Sequence, residues 1–198
     1  MPLLLRGLLH LLARRSAGCS CQATGRAGSR HYGRAVGITL SDLTVSFDHL
    51  DRDRLLDDWR WLIGPSKRLV LASAIGDAFL QDEADGTIHL LDTAAGSCAL
   101  VAHDADEFRS LLADPAWVTD HLAALVIADF LRNDLRLERG QIYSWKRPPV
   151  LGGEYELANA EATDIAAHFS LTGQIHRQVQ NLPAGTPITG IRLRPDHG

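Results

Sequence analysis

Along residues 50–63 (LDRDRLLDDWRWLI), the apolar positions Leu55, Leu56, Trp59, Leu62 and Ile63 fall at i, i+1, i+4, i+7 and i+8, the spacing of one helix face. Asp53, Asp57, Asp58 and Arg60 take the other side, Asp51 is placed to cap the start, and Gly64-Pro65 stops the helix. Short apolar runs then follow closely at Arg68–Ala74, Gly76–Gln81, Thr87–Asp92 and Ser97–Val101. Ala84-Asp85-Gly86 and Ala94-Ala95-Gly96 supply the turns, and Asp-Gly between two apolar runs is a strong hairpin signal. No crossover helix separates these runs, so the pattern predicts an antiparallel meander of three or four strands rather than a parallel dinucleotide fold.

The period then changes. Asp104 to Glu107 forms a capping box ahead of Phe108, Leu111 and Leu112. Asp114-Pro115 is the preferred start of a second helix, whose stripe of Val118, Leu122, Leu125 and Val126 lasts to about Arg132. Gln141–Trp145 reads as a strand broken by Pro148-Pro149, and Pro148–Tyr155 as an irregular bend. Residues 165–171 fit strand alternation and a helical face equally. A helix covering at least 170–181 and ended by Pro183 is favoured, with a frayed end from Arg192. The sum is an α+β domain: an antiparallel β-meander with helices packed on one side.

Composition alters this picture by dividing the chain. The 198 residues hold 20 Lys+Arg and 24 Asp+Glu, for a net charge of −4. Residues 1–35 carry six Arg and no acid, leaving 14 basic and 24 acidic residues, or −10, in residues 36–198. Three readings of residues 1–35 stay open: a spurious extension, a disordered tail, or a targeting segment akin to a transit peptide. Residues 36–198 form the expected single domain. Cys19 and Cys21 lie in the leader, so Cys98 has no partner for an internal disulfide in the body, which fits a cytoplasmic protein.

No P-loop, G-x-S-x-G, H-E-x-x-H or G-x-G-x-x-G motif is present, so no catalytic, cofactor-binding or metal-binding residue is assigned, and no enzyme activity. The nine His are scattered and read as solvated or core-capping, and Cys98 as a small core residue. Gly152-Gly153 reads first as a sharp turn needing positive φ; an anion site with Lys146 and Arg147 is the alternative. The −10 body repels phosphate, which disfavours direct nucleic-acid binding and suits a partner with a basic face. No membrane contact is expected, because Leu3–Ala13 is far short of a spanning helix.

Several motifs occur in a fixed order: Gly76-Asp77-Ala78-Phe79-Leu80, Leu91-Asp92-Thr93 and the run Tyr143–Tyr155 with Lys146, Pro148, Pro149, Gly152, Gly153 and Glu154. Asn159, Thr163-Asp164-Ile165, His168-Phe169-Ser170-Leu171 and Gly173-Gln174-Ile175-His176 follow. In this order, over about residues 43–187, the chain resembles the C-terminal domain of bacterial type VI secretion immunity proteins. That domain often follows a GAD-like domain, which the residues ahead of Leu43 do not resemble, and characterised members neutralise a DNase effector. The resemblance implies a non-catalytic, cofactor-free protein that binds a cognate toxin with a basic surface and occludes its active or substrate site. Asp57, Trp61, Glu154 and Tyr155 are the expected partner-binding residues. The alternative is a small-ligand-binding or enzymatic domain using the Lys146–Glu154 loop.

Overall fold

The computed structural model describes residues 37–183 and 185–194; the leader expected over 1–35 lies outside them. The first elements are a short helix α1 (Leu40–Leu43) and strand β1 (Thr44–Val45). The apolar face at 50–63 becomes α2 (Arg52–Leu55), a 3-10 turn (Asp57–Trp59) and α3 (Arg60–Ile63). Asp51 caps α2, its carboxylate accepting the N–H groups of Asp53 at 3.0 Å and Arg54 at 3.4 Å. Gly64, at φ 75°, ends α3 in a backbone conformation that glycine adopts without strain.

The meander consists of β1 with β2 (Lys67–Ser73), β3 (Ala78–Asp82), β4 (Ile88–Asp92) and β5 (Ser97–Ala102), paired antiparallel in that order. The α+β class and the meander are thus as the sequence predicts. The helical packing goes further than one side, because the strand alternation sends apolar side chains to both faces. Ala78, Leu80 and Leu91 pack with Leu55, Trp59, Ile63 and Phe169, whereas Phe79 and Ile88 pack with Phe108, Leu122, Ile127 and Phe130. Helices therefore cover both faces of the sheet.

On the second face lie α4 (Ala105–Leu112), α5 (Pro115–His121) and α6 (Ala124–Arg132). Asp104 caps α4 through the N–H groups of residues 106 and 107, and Glu107 reaches back to the His103 N–H at 2.7 Å. The single stripe expected over 118–132 is two helices instead. Ala123 takes φ 50°, a left-handed backbone that breaks the run and turns Ile127 and Phe130 inward, leaving Leu125 54% exposed.

A second sheet pairs β6 (Gln141–Trp145) with β7 (Ala160–Asp164), and α7 (Ile165–Val179) completes the fold. The ambiguous residues 165–171 are helix, started by Asp164, whose carboxylate accepts the N–H groups of Ala166 and Ala167. The expected fraying from Arg192 does not hold for residues 192–194, which fold back along α7. The Arg192 N–H donates to Gln178 Oε1 at 3.0 Å and the Arg194 N–H to Gln174 Oε1 at 2.7 Å. No helix among the described residues is long and apolar enough to cross a membrane.

Candidate functional site

Part of the motif, Gly76, Asp77, Thr93, His168 and His176, gathers at one end of the meander, where the β2–β3 and β4–β5 turns lie side by side. Asp77 ties the two together: its buried carboxylate accepts the Thr93 N–H at 2.9 Å and faces the Thr93 hydroxyl at 3.3 Å. Asp92 stabilises the second turn by accepting the Ala95 N–H at 2.8 Å. Burial, then the neighbouring Asp92 charge, pushes the Asp77 carboxyl well above its ordinary range, and burial raises Asp92 as well.

Two turns of α7 insert a histidine beneath each meander turn. His168 Nε2 lies 3.2 Å from the Gly76 carbonyl and 3.0 Å from Thr93 Oγ1, and Nδ1 lies 3.0 Å from Ser144 Oγ. A carbonyl only accepts, so this network assigns the proton to Nε2 and makes Ser144 the donor to Nδ1. Burial holds His168 down at about 4, so the ring is neutral at physiological pH. His176 fills the same place under Gly96 and packs against Trp59, the ring centroids 5.4 Å apart and the planes tilted by 35°. Gly76 (φ 84°) and Gly96 (φ 65°) are needed twice over: a Cβ at either would strike the imidazole beneath it, and their backbones favour glycine.

Residues 146–159 form a closed loop with Asn159 at its centre. Its side chain accepts the Arg147 N–H at 3.0 Å and donates to the Arg147 carbonyl at 2.9 Å and the Glu154 carbonyl at 2.8 Å. Lys146 Nζ donates to the Ala158 carbonyl at 2.9 Å rather than standing free for an anion. Gly152 has the positive φ that a sharp turn requires, at 81°. Gly153 is there for space, since a Cβ would collide with the Arg147 carbonyl oxygen. Replacing Asn159 by alanine removes three hydrogen bonds at once and is expected to cost about 1–3 kcal/mol. Limited proteolysis would show the loss as new cleavage within 147–158 below the global unfolding temperature.

Gly173 and Gln174 dock α7 on the other side. A Cβ at Gly173 would sit 2.6 Å from the Asp58 carbonyl oxygen, so glycine permits the close approach of α7 to the 3-10 turn. Asp58 then accepts from Ser170 Oγ at 2.7 Å, Gln174 Nε2 at 3.2 Å and Arg194 at 2.5 Å.

The expected partner residues are placed differently from one another. Asp57 and Glu154 are exposed. Trp61 is half-buried and stacks on Trp59 at 6.0 Å, and Tyr155 is half-buried with its ring edge-on to Trp145 at 5.3 Å. Burial, aided by the charges of Asp92 and Asp77, pushes the Tyr155 hydroxyl up to about 12.

Pro148, Pro149, Ser144, Thr93 and His168 line one cleft of about 10 Å³, room for about one water. Lys146 and Glu154 do not line it, so the convergence of Lys146, Glu154 and His168 that would favour the ligand-binding reading does not occur there. Ser144 and His168 have the polarity of a nucleophile and base, but the imidazole is a weak base and the cleft has no space for an acyl substrate. The described residues hold no cluster of three or more His, Cys, Asp or Glu able to bind a metal. Burial raises the half-buried Cys98 thiol, the opposite of an activated nucleophile. Sequence reasoning assigned His168 and His176 to core capping without locating the turns they support. The glycines at 76 and 96 were the available signal.

Residues 102–176, from the end of β5 to His176, match the family described as T6SS immunity protein Tdi1, C-terminal. This is the type VI secretion immunity domain that the motif order resembles, and the matched span holds every motif residue from Lys146 to His176. No curated protein matches the chain. Among solved structures, a similar one is titled "Crystal structure of Atu4351 from Agrobacterium tumefaciens", with 16% identity and a TM-score of 0.43. The similarity covers 63% of this chain and 65% of that one.

Proposed function

We propose that this protein is a cytoplasmic immunity protein that binds a cognate effector and neutralises it without chemistry of its own. The observation that carries this reading is the family match over 102–176. Two features support it: the small cleft at the motif residues, and the −10 balance of residues 36–198, which complements a basic surface such as that of a DNase. Neutralisation follows from occlusion of the effector's active or substrate site, with Asp57, Trp61, Glu154 and Tyr155 at the contact. The working unit is residues 36–198, which bind neither nucleic acid nor membrane directly.

Co-expression with the toxin encoded beside its gene tests the proposal. The expected result is restored growth and a complex on gel filtration, both kept by a chain starting at Val36. Charge reversal at Asp57 and Glu154 together slows association by about tenfold in that complex. Absence of both rescue and complex would sink the immunity reading.

A further inference from the structure

We infer that the free edge of β5 is a docking strand, and that its occupant is an extended segment of the partner protein with basic residues at one flank. This inference rests on the immunity reading for the partner's identity.

β5 ends the five-stranded order and pairs only with β4, so one side of its backbone meets no strand among the described residues. Natural sheets blunt such edges with Lys, Pro, bulges or very short strands. The opposite edge follows that rule, since β1 is two residues long. β5 breaks it. Ahead of the bulge the register with β4 is regular from Ser97 to Leu100, and the strand, Ser-Cys-Ala-Leu-Val-Ala, has no charge and no proline. Ser97 and Ala99 are exposed, and Leu100 is 50% exposed. The four regular residues Ser97–Leu100, uncharged and partly apolar, are a template for strand addition, in which main-chain hydrogen bonds supply affinity and side-chain pockets supply specificity.

Charge selects the occupant. The Ile88–Ala102 pairing brings the β3–β4 turn, with Asp85, to the same end of the sheet as the start of α4. Exposed Asp85, Asp104, Asp106 and Glu107 therefore gather where β5 ends; of these Asp106 is paired with Arg109, and Glu107 lies 3.3 Å from His103 Nδ1. An incoming strand flanked by Lys or Arg at that end meets attraction, whereas a second copy of this chain brings another −10 body. The edge is also continuous with the proposed contact, because α3, which carries Trp61, packs alongside β5.

The test uses the full chain with its neighbouring toxin. Leu100→Lys is expected to weaken the complex at least tenfold while leaving the thermal midpoint of the free protein unchanged, and Leu100→Val is expected to bind nearly as well as the parent. Amide exchange across 97–102 slows in the complex. Parent-like binding by Leu100→Lys, or unchanged exchange across 97–102, overturns the edge proposal while leaving the immunity reading intact. Failure of the parent protein itself to form a complex overturns both. A photo-cross-linker at position 100 should capture the toxin; capture of a second copy, or of residues 1–35, assigns the edge to that occupant and overturns the proposal.

Discussion

Trp59→Ala is expected to lower the unfolding free energy by about 3–5 kcal/mol, the usual cost of deleting a large buried aromatic side chain. Trp59 is 0% exposed and lies in the 3-10 turn that α7 packs against. Its ring meets Trp61 on one side and His176 on another, and it belongs to the cluster that joins Leu55, Ile63, Leu80 and Phe169. The deletion therefore unseats α7 and the β4–β5 turn together. Trp59→Phe should cost clearly less, because it keeps a ring in the cavity and removes an indole N–H that has no partner among the described residues. Urea unfolding followed by near-UV circular dichroism measures both. A loss below about 1 kcal/mol for Trp59→Ala would refute the packing role given to this residue.

Acid is expected to weaken the fold through His168. Its ordinary value is 6.5 and its value in the folded protein about 4. Below pH 6.5 the unfolded chain binds a proton that the folded chain refuses, so stability falls as pH drops from about 6.5 to about 4. The shift corresponds to about 3 kcal/mol, lost progressively across that window. His176, also lowered by burial, acts in the same direction. Asp77 and Asp92 act the other way: their raised values mean that the folded protein holds protons the unfolded chain has released, so stability rises as pH falls through those values. The difference in unfolding free energy between the parent protein and His168→Asn isolates the histidine. It should shrink by about 3 kcal/mol between pH 7 and pH 4. A difference that stays flat would mean that His168 is not held neutral in the folded protein.

Local chemistry was legible in the sequence, and long-range geometry was not. The caps at Asp51, Asp104 and Asp114 act within three residues of themselves, and all three start helices where their spacing indicated. The hairpins at Asp85-Gly86 and Ala95-Gly96 were equally readable, because glycine at positive φ is a local demand. β1 and β7 carry little apolar pattern in their sequences, TV and AEATD, and owe their pairing to neighbours. The break at Ala123 had no glycine or proline to announce it; tertiary packing of Ile127 and Phe130 forces an alanine into a left-handed conformation. Of the motif, the Gly152 turn was foreseeable from its residue type. The purposes of Gly153 and Gly173 were not, since each depends on a backbone oxygen brought close by folding.

The contacts of Asp58 have a consequence for how the chain comes to be folded. Its partners Ser170, Gln174 and Arg194 stand 112, 116 and 136 residues further along. Closing loops of that length is entropically costly and slow, and contacts this distant form after local helices and hairpins. During synthesis, the helical segment carrying Trp59 emerges long before the helix that seals it. Until α7 arrives, that apolar face is a site for chaperones or misassembly. On the immunity reading, protection is available only from completed chains, so an effector made in step with its antidote would find a short interval without cover.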